Sequence, residues 1–144
     1  MHLFTTKKML IFIGLAIIGL LLYLAFQFYG TEKSKVPLWE GYDVIQYEIE
    51  GTKFSLVVAD TASRWQKGLM YVRKPVQGFD GMIFTSKHAT PQVFWNMNTF
   101  EDLDVYWIRD GKVLGKSLLP SIESKGMKTV SSPGPADTVI EIIR

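Results

Sequence analysis

Residues 9–29 form an apolar run without a charged residue, in which Gln27 is the one strongly polar side chain. As a helix, this run would measure roughly 30 Å, which is the thickness of the hydrocarbon core of a bilayer. Because a helix satisfies its own backbone N–H and C=O groups, lipid is a suitable solvent for it. The run therefore predicts a single transmembrane helix, and it ties the rest of the protein to a membrane.

The two ends of this run favour an uncleaved anchor over a cleaved signal peptide. The run is longer than the apolar core of a signal peptide, and bulky residues at 25–29 occupy the place where a peptidase needs small ones. The chain has no cysteine, which excludes lipoprotein-type processing. The short tail, residues 1–8, favours a cytoplasmic N-terminus and an extracytoplasmic C-terminal domain, although lysines flank both ends of the run. We expect a single-pass membrane protein.

A polar linker, residues 30–37, precedes residues 38–144, which are long enough for one domain with its own core. The apolar pattern here is mostly of period two, which is typical of half-buried strands. Turn residues at 50–52 and at Asp110-Gly111 separate alternating segments and predict two hairpins. Strands are predicted at 44–49, 53–58, 82–85, 93–96, 105–108, 113–118 and 138–143.

One helix is predicted among the strands, at residues 61–70, where Trp65 and Leu69 recur at helical spacing. Asp60 and Thr61 are both favoured N-cap types, and we expect them to cap this helix. The fold class that follows is α+β, mainly β: a small curled or barrel-like antiparallel sheet with one short amphipathic helix, preceded by a single transmembrane helix.

Several short blocks between residues 53 and 143 resemble the family called domain of unknown function 192. In chain order, these blocks are Ala59-Asp60-Thr61, Arg64, Gly68-Leu69-Met70, Arg73, Gly81-Met82-Ile83-Phe84, Phe94-Trp95, Asn98-Thr99 and Leu103-Asp104-Val105. The resemblance implies a small β-rich domain, often behind a signal or anchor, and it implies no particular reaction. Two positions depart from the family pattern: Met97 stands where the family has a lysine, and Asp102 stands where it has a proline.

Motifs for several kinds of chemistry are missing from the sequence. The predicted domain has one histidine, His88, and no cysteine, so no metal site and no cofactor are expected. The sequence contains no Gly-x-Ser-x-Gly elbow and no glycine-rich phosphate loop. A net charge of +2 is too small to indicate a nucleic-acid partner.

The remaining candidates are polar side chains near an aromatic one: Arg64, Trp95, Asn98, Thr99 and Asp104. In one interpretation they are structural, because Asn and Thr satisfy turn amides and a carboxylate can pair with an arginine. In the other interpretation they form a shallow site, in which Trp95 stacks on a ligand and Asn98 and Asp104 bind its polar groups.

Two functions follow from these observations. The lack of catalytic motifs favours a membrane-anchored envelope protein whose extracytoplasmic domain binds a ligand or partner, such as a glycan, a peptide or a protein. The alternative is an envelope hydrolase or transferase in which Asp104 or Asp60 acts as general acid or base.

Overall fold

The computed structural model describes residues 39–76 and 78–144. The transmembrane helix predicted at residues 9–29 lies outside these residues. Within them, no helix is both long enough and apolar enough to cross a membrane.

Two antiparallel hairpins are the most local part of the fold, and both confirm the sequence pattern. Strand β1 pairs with β2 across Glu50-Gly51, and β5 pairs with β6 across Asp110-Gly111. All four turn residues have positive φ, between 48° and 81°, as a two-residue turn with the right-handed twist of a hairpin requires. The strands are β1 (Val44–Ile49), β2 (Thr52–Ala59), β3 (Gly81–Thr90), β4 (Val93–Trp95), β5 (Leu103–Arg109), β6 (Lys112–Leu119), β7 (Thr129–Ser131) and β8 (Ala136–Ile143).

In the described part of the chain, six of these strands form one sheet in the order β1-β2-β3-β8-β5-β6, and β4 and β7 form a second, two-stranded sheet. The prediction of a purely antiparallel sheet is wrong, because β2 and β3 run parallel. The segment between them, residues 60–80, contains a helix and is long enough for the crossover that a parallel pair needs. Strands β1 and β6 are the two edges of this sheet, which is open and not a closed barrel.

Two short helices accompany the sheets in the described residues, so the prediction of one helix is also wrong. Helix α1 (Ala62–Lys67) lies inside the predicted range, and the chain leaves it at Gly68. Helix α2 (Ile122–Lys125) is a single turn, too short to show a 3.6-residue pattern. Strand β7, of three residues, was not predicted from the sequence. The mainly β, α+β class is confirmed.

The large sheet has two faces, and apolar residues occupy most of both. One face, called here the Ile140 face, packs as a continuous apolar cluster of Ile49, Leu56, Ile83, Tyr106, Ile108, Ile140 and Ile142. The register places the alternate residues on the opposite side, called here the Glu141 face: Val57, Met82, Phe84, Val105, Trp107, Val139 and Glu141. Both sets are buried. Glu141 is therefore a carboxylate in the middle of an apolar surface.

Strand β8 approaches β3 very closely next to this glutamate. A Cβ atom added to Gly81 would lie 1.9 Å from the backbone oxygen of Glu141, far inside any permitted contact. Only glycine fits at position 81, because any side chain would push the two strands apart. The close approach fixes the backbone of Glu141 against β3.

Candidate functional site

Glu141 lies in a central strand, and its direct neighbours in the sheet are apolar. The register pairs it with Met82 of β3 on one side and with Val105 of β5 on the other. Both neighbours are fully buried, and Glu141 itself is 4% exposed. Glutamate is almost never this deeply buried unless it is paired or has a function.

A cavity of about 170 Å³ opens above this side chain. It lies between α1 with the turn that follows it and β4 with the loop that leads to Thr99. Its apolar lining comes from Trp65, Leu69, Met70, Phe94, Trp95 and Met97, with Val93 at β4. Its polar lining comes from Gln66, Lys67, Gln92, Thr99 and Glu141. We call this space the Glu141 cavity; its volume is close to the roughly 150 Å³ of an apolar cavity that accepts benzene.

The carboxylate of Glu141 faces this cavity, and no partner for it is found among residues 39–76 and 78–144. In the described part of the chain, no side chain or backbone group forms an ion pair or hydrogen bond with its oxygens. In this part of the chain, every fully enclosed side-chain oxygen or nitrogen atom has a hydrogen-bond partner. The carboxylate oxygens of Glu141 have no such partner, so they are not fully enclosed and open onto the cavity. A Cβ built on Gly68, where α1 ends, would lie 3.9 Å from Oε2 of Glu141. The end of α1 therefore covers the carboxylate.

Burial raises the pKa of Glu141 from 4.5 to about 8. The cause is desolvation, since the ionised carboxylate loses its water and no described residue pairs with it. At neutral pH the group is mostly protonated and able to donate a hydrogen bond. A strongly shifted carboxyl group in a cavity is a candidate functional group on physical grounds.

Aromatic side chains build the wall beside the carboxylate. Phe94, from β4, packs against Phe84 and Trp107 of the sheet with ring centres 4.9 and 5.8 Å apart. Trp65, from α1, packs against Phe84 at 5.3 Å and against Phe94 at 6.4 Å. These contacts are mostly edge-to-face, the arrangement that ring quadrupoles favour. They hold α1 and β4 over the Glu141 face and keep the cavity in shape.

A second space of about 300 Å³ adjoins the cavity and shares Gln66, Lys67, Met70 and Met97 with it. We call it the Tyr71 cleft, because Tyr71 and Asn98 form its far side. Both residues have positive φ, 66° and 53°. The backbone N–H of Tyr71 donates to the carbonyl oxygen of Asn98 at 2.9 Å, and Nδ2 of Asn98 donates to the Tyr71 hydroxyl at 2.9 Å. Unusual backbone held in this way is often found at binding sites.

Two of the five residues predicted as ligand-binding line the Glu141 cavity. Trp95 lies at its rim and is 48% exposed, and Thr99 is buried in its wall. Thr99 donates a hydrogen bond to the carbonyl oxygen of Met97 at 3.3 Å. The loop between Trp95 and Thr99 is fixed by Asn96, whose side chain bonds the backbone of Pro120, Gly126 and Lys128. A third predicted residue, Asn98, belongs to the adjoining cleft.

The structure places Arg64 away from the Glu141 cavity, in contacts at the start of α1. Its guanidinium pairs with Asp60 at 2.7 Å, donates to the carbonyl oxygen of Gly41 at 2.7 Å and lies 4.1 Å from the ring centre of Tyr42. Thr61 is the N-cap of α1, and its Oγ1 accepts from the backbone N–H of Arg64 at 3.3 Å. These contacts fasten the helix to the segment before β1.

Asp104 lies on the other side of the sheet from the cavity. It pairs with Ile142 in the register and shares the Ile140 face. Its carboxylate oxygens lie 3.2 Å from the Lys116 ammonium and 3.6 Å from Nε of Arg144. Asp104 and Thr99 are therefore not brought into one site. Among the described residues, no group of three or more His, Asp or Glu side chains is placed to hold a metal ion.

Glu141 is the site residue that the sequence reasoning missed, although the sequence carries a signal for it. It is the single charged residue within Val139–Ile143, where apolar residues occupy both alternating sets. A strand that is apolar on both faces is buried on both faces. A charge in such a strand has no route to solvent, which marks it as a paired or functional group.

Comparisons with known proteins connect this fold to a family. The sequence matches none of the curated proteins. Among solved structures, the chain is similar to a protein of Sinorhizobium meliloti 1021 that carries the provisional description of a transcription regulator, with 27% identity, a TM-score of 0.53, and coverage of 71% of this chain and 79% of that one. A Novosphingobium aromaticivorans DSM 12444 protein of unknown function has the same fold, with 23% identity, a TM-score of 0.51, and coverage of 72% and 83%.

The match to a family profile covers residues 45–144, which include every strand of both sheets except the first residue of β1. It spans the site as well, from α1 to Glu141. The family's description is "Uncharacterized ACR", which names no reaction. The chain therefore belongs to the domain of unknown function 192 family, DUF192.

Proposed function

We propose that this protein is a membrane-anchored envelope protein whose extracytoplasmic domain binds a small ligand in the Glu141 cavity. The apolar run at residues 9–29 supports the anchor, and the short tail before it supports a cytoplasmic N-terminus. The single observation that carries the binding function is the unpartnered, buried carboxylate that opens into a cavity lined by aromatic side chains.

The form of the cavity supports binding over a purely structural role. A fold gains stability by filling its core with apolar side chains at high density. Here an apolar face instead has a carboxylate at its centre and an open volume above it, an arrangement that lowers stability when nothing is bound. Ligand sites commonly combine apolar walls with a few polar groups of this kind.

Thermal unfolding of the full chain in detergent micelles tests this function against a panel of neutral, cationic and anionic fragments. Because a ligand at 100 times its Kd adds about 2.7 kcal/mol of stability, a hit raises the unfolding temperature by several degrees. Trp95→Ala removes part of the cavity rim and should weaken a hit. Leu118→Ala is the matched control, since Leu118 is 49% exposed on β6 against 48% for Trp95, and it lies away from the cavity. If both variants weaken the stabilisation by the fragment equally, the fragment does not bind in the Glu141 cavity.

Acid–base catalysis is a second function, and one specific observation favours it. Burial raises the pKa of Glu141 to about 8, close to the range in which a general acid or base is most effective. The sequence-based prediction places this role at Asp104 or Asp60, but both of those carboxylates lie beside a lysine or arginine. Turnover of any bound fragment that Glu141→Gln abolishes while binding persists would establish catalysis. Binding without turnover would leave ligand binding as the function.

A role in transcription, the description carried by the S. meliloti protein, has little support from charge. The formal net charge of this chain is +2, and DNA-binding domains depend on clusters of basic residues that neutralise phosphates.

A further inference from the structure

We infer that the ligand of the Glu141 cavity carries a positively charged nitrogen, in an alkylammonium or quaternary ammonium group, that pairs with the Glu141 carboxylate. This inference rests on the proposed binding function and specifies the chemical class of the ligand.

The first argument is the missing counter-charge. The carboxylate–cation pairs in the described part of the chain are all at least partly exposed. Glu141, in contrast, is 4% exposed and pairs with none of the basic residues there. An ionised carboxylate in an apolar environment needs an opposite charge within a few ångströms. A cationic ligand supplies this charge and stabilises the ionised form of Glu141, which an anionic ligand cannot do.

The second argument is the aromatic wall. Trp65, Phe94 and Trp95 all line the cavity. Aromatic ring faces attract cations, tryptophan most strongly, and sites for quaternary ammonium groups are typically built from such side chains. The cavity thus offers an organic cation both an ion pair, with the carboxylate, and cation–π contacts, with the three aromatic side chains.

The third argument is size. A cavity of about 170 Å³ has room for a tetramethylammonium or a butylammonium group. The adjoining Tyr71 cleft, of about 300 Å³, has room for the rest of the ligand molecule. The chemistry is the same whether the amine is a free small molecule or the side chain of a lysine in a polypeptide.

Binding of a cation should release a proton at neutral pH. The raised pKa of Glu141 means that its carboxyl is mostly protonated before the ligand arrives, and the ion pair requires the ionised form. Among the described residues around Glu141, Lys67 of α1 is charged and also lines the cavity, while Met82 of β3, Val105 of β5 and the lining residues from β4 are uncharged. The Lys67 ammonium lies 5.7 Å from the ring centre of Tyr42.

Isothermal titration calorimetry on the full chain in micelles tests the inference with two probes of similar size. Tetramethylammonium carries a charge at every pH, and tert-butyl alcohol carries none. We expect tetramethylammonium to bind at least about tenfold more tightly, with affinity rising by up to about tenfold per pH unit from pH 6 to 8 and then levelling. Titrations in buffers of different ionisation enthalpy should show release of up to one proton at pH 6.5.

Three variants separate the carboxylate from its surroundings. Glu141→Gln keeps the shape and removes the charge, so it should weaken tetramethylammonium by at least about tenfold and abolish proton release. Met97→Lys places an ammonium group in the same cavity, so it should compete with the ligand and have the same effect. Asp104→Asn, which neutralises a carboxylate on the opposite face, should leave binding in place.

Each outcome decides a different question. Equal affinity for both probes, or undiminished binding of the cation in Glu141→Gln, would overturn the cationic ligand and leave the proposed binding function standing. Failure of both probes and of the whole fragment panel would overturn the binding function itself. If the cation binds, n-butylammonium and Nα-acetyl-lysine amide distinguish the sources: a preference for the first indicates a free amine, and a preference for the second indicates a polypeptide side chain.

Discussion

The two faces of the large sheet are made by the same strands, yet they differ in what they do for the molecule. The Ile140 face is a closed apolar cluster in which each side chain removes area from water. The Glu141 face has the same alternation and comparable burial, but it carries a carboxylate at its centre and a cavity above it. One face therefore stabilises the fold, whereas the other carries the carboxylate and the open volume on which the proposed binding function rests.

The largest expected effect comes from breaking the stabilising face. Ile140→Ala should lower the free energy of unfolding by about 2–5 kcal/mol, because Ile140 is fully buried and its loss leaves a void. Urea unfolding followed by tryptophan fluorescence measures this change. Ligand binding at a temperature where the variant is folded should be unchanged, since the side chain points away from the cavity. A loss below about 1 kcal/mol would mean that this face is not closely packed.

Replacement of Glu141, which follows Ile140 in β8 and lies on the other face, should raise the free energy of unfolding near pH 8 instead of lowering it. Since the pKa of Glu141 is about 8 in the fold and near 4.5 when unfolded, the native state holds the extra proton between these values. Stability from this group is fully present below about pH 4.5 and is lost as pH rises through 8, by at most about 1.4 kcal/mol per pH unit. Glu141→Gln should therefore flatten the fall in stability between pH 5 and 8.

The control for this pH series is Asp104→Asn, which should retain the wild-type fall in stability between pH 5 and 8. If Glu141→Gln has the same slope as the wild type in urea unfolding at each pH, Glu141 is not the group that titrates, and the contrast between the two faces is smaller than the structure indicates.

A smaller effect is expected from loosening the element that covers the Glu141 face. Thr61→Ala removes the N-cap of α1 and should lower the free energy of unfolding by about 1 kcal/mol. Because α1 supplies Trp65 to the cavity wall, the variant should also bind the ligand more weakly. Thr61→Ser keeps the hydroxyl and should restore both properties; if it does not, the effect of Thr61→Ala does not come from the cap.

The smallest effect is expected at the carboxylate on the stabilising face. Asp104→Asn disrupts partly exposed contacts with Lys116 and Arg144, and such pairs contribute about 0–1 kcal/mol. We expect a change in the unfolding free energy within this range that decreases further at high salt. Loss of ligand binding in this variant would instead place the site at Asp104, one of the candidate residues predicted from the sequence.

The sequence predicts what is decided between neighbours in the chain. The turn residues Glu50-Gly51 and Asp110-Gly111 tolerate positive φ, and this local chemistry is sufficient to specify two hairpins. The order of the strands is not local. Nothing between residues 60 and 80 indicates that β3 will run parallel to β2, and nothing near β8 indicates that it will lie between β3 and β5.

The same distinction explains the candidate site. Trp95 and Thr99 are close in sequence, and both line the cavity that the structure contains. Asp104 is also close in sequence, but strand alternation directs it to the opposite face. Glu141 is distant in sequence and joins the site only through the position of β8 in the sheet. Reasoning from neighbouring residues reached Trp95 and Thr99 of the cavity lining, whereas Glu141 depends on pairing between distant strands.

The position of β8 has a consequence for how the sheet is assembled. Before β8 is added, the sheet consists of two separate pieces, β1-β2-β3 and β5-β6, which β8 joins by pairing with both. We expect this long-range step to limit the folding rate, because closing such loops must precede any gain from the contacts. Because Glu141 loses its water in that same step, we expect its ionisation to raise the barrier. Wild-type refolding should then slow as pH rises from 5 to 8, and refolding of Glu141→Gln should not. The carboxylate proposed to bind the ligand would then also make the completion of the fold depend on pH.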